Sequence, residues 1–187
     1  MEHYVSLGLR PDAVQQCWTE QERPTWCWAA CIKMILGYHG IPIDQERLVR
    51  AMTGIDPYVR LDLGADEQTI TRALNANLEH NGKKFSITAN YIPGTPAPVT
   101  LINELVKGCP IVVAYQATPQ SRHTVLVTWV EYVMRNGTPG VYQIRVLDPW
   151  PGQGAPVYDA SRFARSIVGA WTVDVSVYQV PWSFAPL

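Results

Sequence analysis

Cys27 is the residue of this sequence best placed to act as a nucleophile. It lies between two tryptophans in the stretch QERPTWCWAA, residues 21 to 30, and apolar helix-forming residues follow it directly. Proline fits a helix only in its first turn, so Pro24 in the upstream turn predicts that a helix begins close to the cysteine. The free N–H groups and the dipole of a helix N-terminus favour the thiolate, which is the nucleophilic form of cysteine.

A thiolate nucleophile needs a base, and the chain has four histidines. His3 lies near the terminus and His80 in a polar helix stop. His39 lies about three helical turns beyond the cysteine. His123 opens the strand-like stretch HTVLVTWV after a polar turn, which would place its imidazole at the end of a sheet, facing a cleft. We therefore predict that His123 is the base.

Asp148 and Gln21 complete the candidate site. Asp148 ends the apolar run YQIRVLD, and Pro149 after it favours an extended backbone. A hairpin through NGTPG would bring the two strand ends together, so Asp148 can orient His123. Gln21 lies on the loop that leads into the Cys27 helix, where its side-chain amide can point at the oxygen of an attacked carbonyl. Asp-Pro is also common in turns, and both roles of Asp148 can hold at once.

Four motif positions together resemble the papain-like cysteine peptidases: Gln21, Cys27-Trp28, His123 and Asp148. The similarity is closer to compact bacterial members with W-C-W-A-A around the nucleophile, which include type III effector peptidases of plant pathogens, and to the leader-processing peptidases of bacteriocin exporters. The resemblance covers roughly residues 17 to 180. It implies a helical half that carries the nucleophile, packed on a sheet half that carries the base.

The resemblance also implies roles for single residues. Cys27 would be the nucleophile, His123 the base and acid, and Asp148 the orienter. Gln21 would donate to the oxyanion together with the Cys27 backbone N–H. Papain's own C-G-S-C-W signature is absent, and His123 follows the nucleophile by fewer than the ~130–150 residues typical of papain. The substrate preferences of papain therefore do not transfer.

Periodicity predicts the helices that position these residues. A largely buried helix is expected from about Trp26 to Tyr38. Amphipathic helices are expected in IDQERLVRAM behind an Asp44 cap, and in DEQTITRALNANLEHNG from an Asp66 cap to an Asn-Gly stop. Short helices are expected in TLINELVKG and near DASRFARS.

The later part of the chain is rich in β-branched and aromatic residues. The strand-like stretches are KFSITANYI, PIVVAYQ, HTVLVTWVEYVM, GVYQIRVLD and WTVDVSVYQV. They predict an antiparallel sheet and an α+β fold. We expect one papain-like domain over residues 1–187, with a mainly helical half at 1–100 and a mainly sheet half at 101–187, and a cleft between the halves.

Composition excludes several classes of function. With 15 basic and 16 acidic residues and a net charge of -1, the chain has no basic run of the kind that binds nucleic acid. No stretch reaches the ~18 apolar residues of a membrane span. The N-terminus has no signal-peptide pattern, so we expect synthesis in the cytoplasm, with export by a specialised secretion system as an open route. The four cysteines are expected to be reduced, and no cofactor is needed.

The sequence predicts a cysteine endopeptidase that cleaves a protein or peptide substrate through a thioacyl intermediate. The protein is expected to act as an effector or toxin. Trp26 and Trp150 are the candidate substrate-binding residues, although either can be core. The same residues would serve glutamine deamidation or transglutamination, and a non-catalytic peptide-binding module is the alternative from another class. A zinc site built on Cys27 and Cys31 lacks a fourth ligand. Any activating or immunity partner is unidentified.

Overall fold

The computed structural model describes residues 3–53, 65–80 and 83–179. In chain order the elements are β1 (Val5–Gly8), α1 (Pro11–Cys17), α2 (Cys27–Tyr38), α3 (Gln45–Thr53), α4 (Glu67–Ala73), β2 (Asn77–His80), β3 (Lys83–Pro93), α5 (Pro98–Val106), β4 (Ile111–Thr118), β5 (Ser121–Arg135), β6 (Thr138–Leu147), β7 (Val157–Asp159), α6 (Ala160–Ala164) and β8 (Ile167–Gln179). Within the described residues, no helix is both long enough and apolar enough to span a bilayer.

The strands form one antiparallel sheet, which confirms the predicted α+β class. Seven of the described strands follow the order β2-β3-β8-β4-β5-β6-β7, and β1 pairs with β5 beside that path. The long β5 pairs with β4 through its first half and with β1 through its second, while β6 lies along its other edge. The strands β4, β5 and β6 are therefore central, and these strands lead to the predicted base and orienter.

A hydrophobic core covers each face of the sheet. Successive side chains of a strand point to opposite faces. Along β4, Val112 packs in one core with Trp28 of α2, whereas Val113 packs in the other with Leu105 of α5. The sheet thus lies between α2 on one side and α5 with α6 on the other.

Helix α2 is buried nearly all round, as its composition predicts. Ala29 and Ala30 are completely buried, and their small side chains let the helix backbone approach its neighbours closely. The helix ends at Tyr38, and Gly40 follows in a left-handed conformation with φ of 75°, which glycine adopts without strain. The rigid start of this helix is where Cys27 lies.

The predicted caps of α3 and α4 are present. The carboxylate of Asp44 accepts a hydrogen bond from the Arg47 backbone N–H at 2.6 Å, and that of Asp66 accepts from Thr69 at 2.7 Å. Such bonds satisfy donors that a helix N-terminus leaves free.

The extent of the second amphipathic helix was predicted wrongly. Helix α4 ends at Ala73, and residues 77–80 form β2 instead of continuing the helix. Ala76 and Ile87 exchange backbone hydrogen bonds of 3.2 and 2.8 Å, so pairing with β3 replaces the helical pattern. The predicted Asn81-Gly82 stop lies outside the described residues. Strands β2 and β3 thus bring part of the predicted helical half into the sheet, and β1 and α1 were not expected at all.

Candidate active site

Cys27 is the first residue of α2, at the position that the sequence predicts. The N-cap residue Trp26 makes no side-chain capping bond, and the carbonyl of Trp26 accepts the N–H of Ala30 at 2.9 Å. The thiol therefore lies where the N–H groups of the first helical turn are free and the helix dipole favours an anion. Cys27 is 9% exposed, so a small part of its surface can be reached from solvent.

His123 and Asp148 meet at the end of the β5–β6 pair. The last residues that β5 and β6 pair at this end are Leu126 and Leu147, so the register brings His123 and Asp148 to the same end of the two strands. The Nε2 atom of His123 lies 2.7 Å from Oδ1 of Asp148, and the two residues are 8% and 3% exposed. Since Nε2 is held by the carboxylate, Nδ1 is the ring nitrogen left for Cys27.

The backbone around Asp148 is fixed from three directions. Its N–H donates to the carbonyl of Gly154 at 2.8 Å, and its own carbonyl accepts the indole N–H of Trp18 at 3.4 Å. Its Oδ1 also accepts the backbone N–H of Trp150 at 2.8 Å. A carboxylate held in this way can keep an imidazole in one orientation.

The electrostatics of the site favour a thiolate–imidazolium pair. Burial on its own raises the pKa of the Cys27 thiol, but the hydrogen bond and charge of His123, with hydrogen bonds from Thr124, lower that pKa overall from its ordinary 9.0. Burial on its own lowers the pKa of His123, but hydrogen bonds to Asp148 and Cys27 and the charges of both raise that pKa to about 9. Between the two pKa values both groups are charged.

Thr124 is a site residue that the sequence analysis missed. Its side chain and its backbone both make hydrogen bonds that lower the pKa of the Cys27 thiol. Its carbonyl accepts from Cys31, whose burial raises the pKa of that second thiol well above 9.0 and keeps it neutral. A threonine in a β-branched strand carries no sequence signal beyond strand propensity, so only its position next to His123 could have indicated it.

Gln21 lies in the loop before α2, buried with 6% exposure, but its amide is already engaged. Its Nε2 donates to the carbonyls of Arg23 at 2.8 Å and of Pro24 at 2.9 Å. Its Oε1 is buried and has no hydrogen-bond partner among the described residues. The amide group thus belongs to the turn that leads into the Cys27 helix, and serving an oxyanion requires one of these two bonds to be exchanged.

The two tryptophans predicted to bind substrate are placed differently. Trp150 is 47% exposed and stands edge-on to His123, with ring centroids 6.1 Å apart and an interplanar angle of 84°. Trp26 is 3% exposed and packs within the core that includes Trp28. The structure thus corrects the expectation for Trp26, because a side chain enclosed in the core offers almost no surface to a substrate.

A cavity of about 190 Å³ opens beside Cys27. Its lining combines small side chains, among them Thr25, Ala65 and Ala114, with the indole rings of Trp28 and Trp171. At its rim an ion pair joins Arg122 of β5 to Glu67 of α4. The cavity therefore reaches the nucleophile between the helices and the sheet, where a cleft was expected.

Two solved structures share this fold. The peptidase domain of Streptococcus ComA, a bi-functional ABC transporter involved in a quorum sensing pathway, is similar with a TM-score of 0.56 and 16% identity over 85% of this chain and 96% of that chain. A double glycine motif protease from an AMS/PCAT transporter, in complex with the leader peptide, is similar with a TM-score of 0.50 and 18% identity over 87% and 91% of the two chains.

The predicted resemblance to the bacteriocin leader peptidases agrees with these two folds. No curated protein matches the sequence. The model of the Peptidase_C39 like family matches residues 13–177, a span that contains Gln21, Cys27, His123 and Asp148. Since this match includes most of the chain, the protein belongs to the Peptidase_C39 like family.

Proposed function

We propose that the protein is a cysteine peptidase that uses Cys27 as nucleophile, His123 as base and acid, and Asp148 as orienter. One observation carries the proposal: a buried carboxylate holds one ring nitrogen of His123 at 2.7 Å, and the same histidine lowers the pKa of a thiol at a helix N-terminus. Nucleophilic catalysis by cysteine needs this arrangement. The pKa of Cys27 is lowered and that of His123 is raised, as a thiolate–imidazolium pair requires, and Asp148 supplies the hydrogen bond to the ring.

The first chemical step forms a thioacyl intermediate. The Cys27 sulfur attacks the carbonyl carbon of a peptide bond, and the electron pair of the carbonyl moves to its oxygen. The backbone N–H of Cys27 and the Gln21 amide would donate to this oxyanion, after Gln21 releases the Arg23 or the Pro24 carbonyl. The tetrahedral intermediate then collapses, the C–N bond breaks, and the leaving amine takes the proton of His123.

The second step releases the acyl group. Neutral His123 takes a proton from water, the resulting hydroxide attacks the thioester, and the Cys27 sulfur leaves as a thiolate. The carboxylate of Asp148 stabilises the imidazolium that forms in this step, because it remains hydrogen-bonded to Nε2. The enzyme returns to its starting charge state with one peptide bond hydrolysed.

We propose a peptide with small residues at the cleavage site as the substrate. The cavity beside Cys27 is only about 190 Å³, and its lining includes the large rings of Trp28 and Trp171 beside Ala65 and Ala114, so it has room for small side chains. One structurally similar protein is a double glycine motif protease that was solved with a leader peptide. A peptide containing Gly-Gly is therefore the first substrate to test.

Deamidation or transglutamination of glutamine begins with the same thiolate attack on an amide, so the triad is compatible with each. No described contact favours them over hydrolysis. The effector or toxin setting, with export by a specialised secretion system, is a prediction from the sequence resemblance alone, and so is an activating or immunity partner. A non-catalytic peptide-binding module has no need of the lowered Cys27 pKa.

The test is a panel of unstructured peptides with and without Gly-Gly, incubated with the protein and read by mass spectrometry. The proposal predicts products that end after a small residue, a transient acyl adduct on Cys27, and neither in Cys27→Ala. Cys109→Ala is the matched control, because it removes another buried cysteine and should cleave like the wild type. Peptides of unchanged length in which an amide has become a carboxylate would show deamidation, and binding without any product would show the binding module.

A further inference from the structure

Gln45 is a buried polar residue that the peptidase chemistry does not use directly. It is the first residue of α3 and is completely buried. Its Nε2 donates to the carbonyl of Glu20 at 2.7 Å, and its Oε1 accepts the backbone N–H of Glu22 at 3.0 Å. One partner can only accept and the other can only donate, so the orientation of the amide is determined by its surroundings.

These two bonds fall on either side of Gln21. A single side-chain amide thus pairs with the backbone of the residues before and after the predicted oxyanion donor, as a neighbouring strand would. The Gln45 amide is completely buried, and a buried amide without partners is unfavourable, so the segment is held where this amide can reach it.

The same segment is also bound to the loop that follows Asp148. The N–H of Gln21 donates to the carbonyl of Pro149 at 2.7 Å, and the carboxylate of Glu20 accepts the N–H of Gly152 at 2.9 Å. Residues 20–22 therefore lie between α3 on one side and the loop of the orienter on the other. Without Gln45, the segment would keep its two hydrogen bonds with this second loop and the ion pair between Glu22 and Lys33 of α2.

We infer that Gln45 is a positioning residue for the oxyanion hole. Its amide fixes the backbone of residues 20 and 22, and thereby holds the Gln21 amide at the turn that enters the Cys27 helix. Gln45 touches neither substrate nor sulfur in this role. The inference rests on the proposed function for its catalytic consequence, while the positioning itself is independent of any activity.

The first measurement tests position without activity. Hydrogen exchange of the Gln21 and Glu22 backbone amides is followed by NMR in wild type and in Gln45→Met, which has a similar length but no donor or acceptor. We expect exchange of the Glu22 amide, which loses its acceptor, to become roughly tenfold faster or more, and exchange of the Gln21 amide to become faster as well, because the loosened segment opens its bond to Pro149 more often. Unchanged exchange in a folded Gln45→Met protein overturns the inference, whether or not a substrate is ever found.

The matched control is Asn75→Leu. The Asn75 amide makes the same kind of double contact with Ala89, donating to its carbonyl at 3.1 Å and accepting its N–H at 3.0 Å. This variant loses an equivalent pair of bonds outside the site, together with the bond from Asn75 to the Thr71 carbonyl. We expect the exchange of residues 21 and 22 and the kcat/KM of Asn75→Leu to stay within about twofold of wild type.

The second measurement is a double-mutant cycle on peptide cleavage. Removing an oxyanion donor typically lowers kcat by about 10²–10³. We expect Gln45→Met to lower kcat roughly 10- to 100-fold with little change in KM, and to have less than about a threefold effect once Gln21 is alanine. Equal effects in both backgrounds overturn the inference, since they would show that Gln45 acts independently of Gln21. The pH profile of Cys27 alkylation should be unchanged in Gln45→Met.

Gln45→Glu covers the case in which Gln45→Met fails to fold. Its protonated carboxyl can donate to Glu20 and accept from Glu22, whereas the carboxylate cannot donate. Burial raises the pKa of a carboxyl group. The carboxylate still accepts the Glu22 N–H, so the readout is the Gln21 amide, whose exchange protection relative to wild type at each pH we expect to return as the pH falls. Protection that is equal to wild type at high pH overturns the inference.

Discussion

The carboxylate of Asp148 holds the Nε2 atom of His123 at 2.7 Å, and this bond decides which ring nitrogen faces the nucleophile. With Nε2 occupied, Nδ1 is the nitrogen that the proposed mechanism assigns to Cys27. The imidazole ring of His123 therefore lies between Asp148 at the end of the sheet and Cys27 at the helix N-terminus. This relationship makes the roles of the three residues separable by substitution.

The loss of activity on substitution of Asp148 should depend on whether the new side chain keeps an acceptor oxygen. Oδ1 accepts from both His123 and the Trp150 backbone N–H, and asparagine offers an equivalent oxygen without the charge. We expect Asp148→Asn to reduce kcat/KM by about tenfold, since a charged hydrogen bond becomes a neutral one. Asp148→Ala should reduce it by about 100-fold or more, because the base loses its orientation. Peptide cleavage measures both, and equal losses would contradict this role of the oxygen.

The activity should have a maximum below pH 9. The pKa of His123 is raised to about 9, so its proton is present at lower pH and is lost as the pH rises through that value. The pKa of Cys27 lies below its ordinary 9.0, so the thiolate is lost only as the pH falls further. We expect kcat/KM to fall above about pH 9 and on the acid side of the Cys27 pKa. An activity that keeps rising above pH 9 would show that protonated His123 is not required.

Thr124 should help to stabilise the thiolate. We expect Thr124→Val to raise the pKa of Cys27, because a hydroxyl that bonds the sulfur is lost. A hydrogen bond to a charged group is worth about 1.5–3 kcal/mol, so the alkylation midpoint should move up by about one pH unit or more. Thr128→Val is the control, since Thr128 is also buried on β5 and should leave the midpoint in place. Equal midpoints in the two variants would rule out this contribution.

Trp150 should affect substrate binding more than thiolate formation. Its ring is 47% exposed beside His123, so it can contact a bound peptide. We expect Trp150→Ala to raise KM about fivefold, in line with the energies of aromatic contacts, while the alkylation rate of Cys27 changes little. Steady-state kinetics with the cleaved peptide measure the first effect. A change in alkylation without a change in KM would instead assign Trp150 to the shielding of His123.

The sequence was most informative where a local rule has a single structural outcome. The apolar helix that starts at Cys27, the caps at Asp44 and Asp66, and the strands that carry His123 and Asp148 follow from periodicity and capping chemistry. The helix expected from Asp66 to the Asn-Gly stop ends at Ala73 because β2 pairs with β3, and a local pattern does not contain that distant partner. The sequence left open whether Trp26 lies in the core or lines the cleft for the same reason, since core packing depends on the whole fold.

The contacts that refine the site depend on tertiary structure. Thr124 meets the Cys27 sulfur across two elements, and Gln45 meets residues 20 and 22 from a helix more than twenty positions along the chain. Neither residue type stands out in its own segment. Their contributions become visible once β5 and α3 pack around the start of α2.

The pH dependence of Cys27 alkylation by iodoacetamide tests the central claim most directly, read by intact mass and peptide mapping in wild type and His123→Ala. In wild type we expect a midpoint below the ordinary thiol pKa of 9.0, because His123 and Thr124 outweigh burial. Without His123, burial should raise the midpoint above the wild-type value. If the midpoint is the same with and without His123, or if Cys27 reacts no faster than Cys109, no ion pair exists and the proposed peptidase mechanism is contradicted.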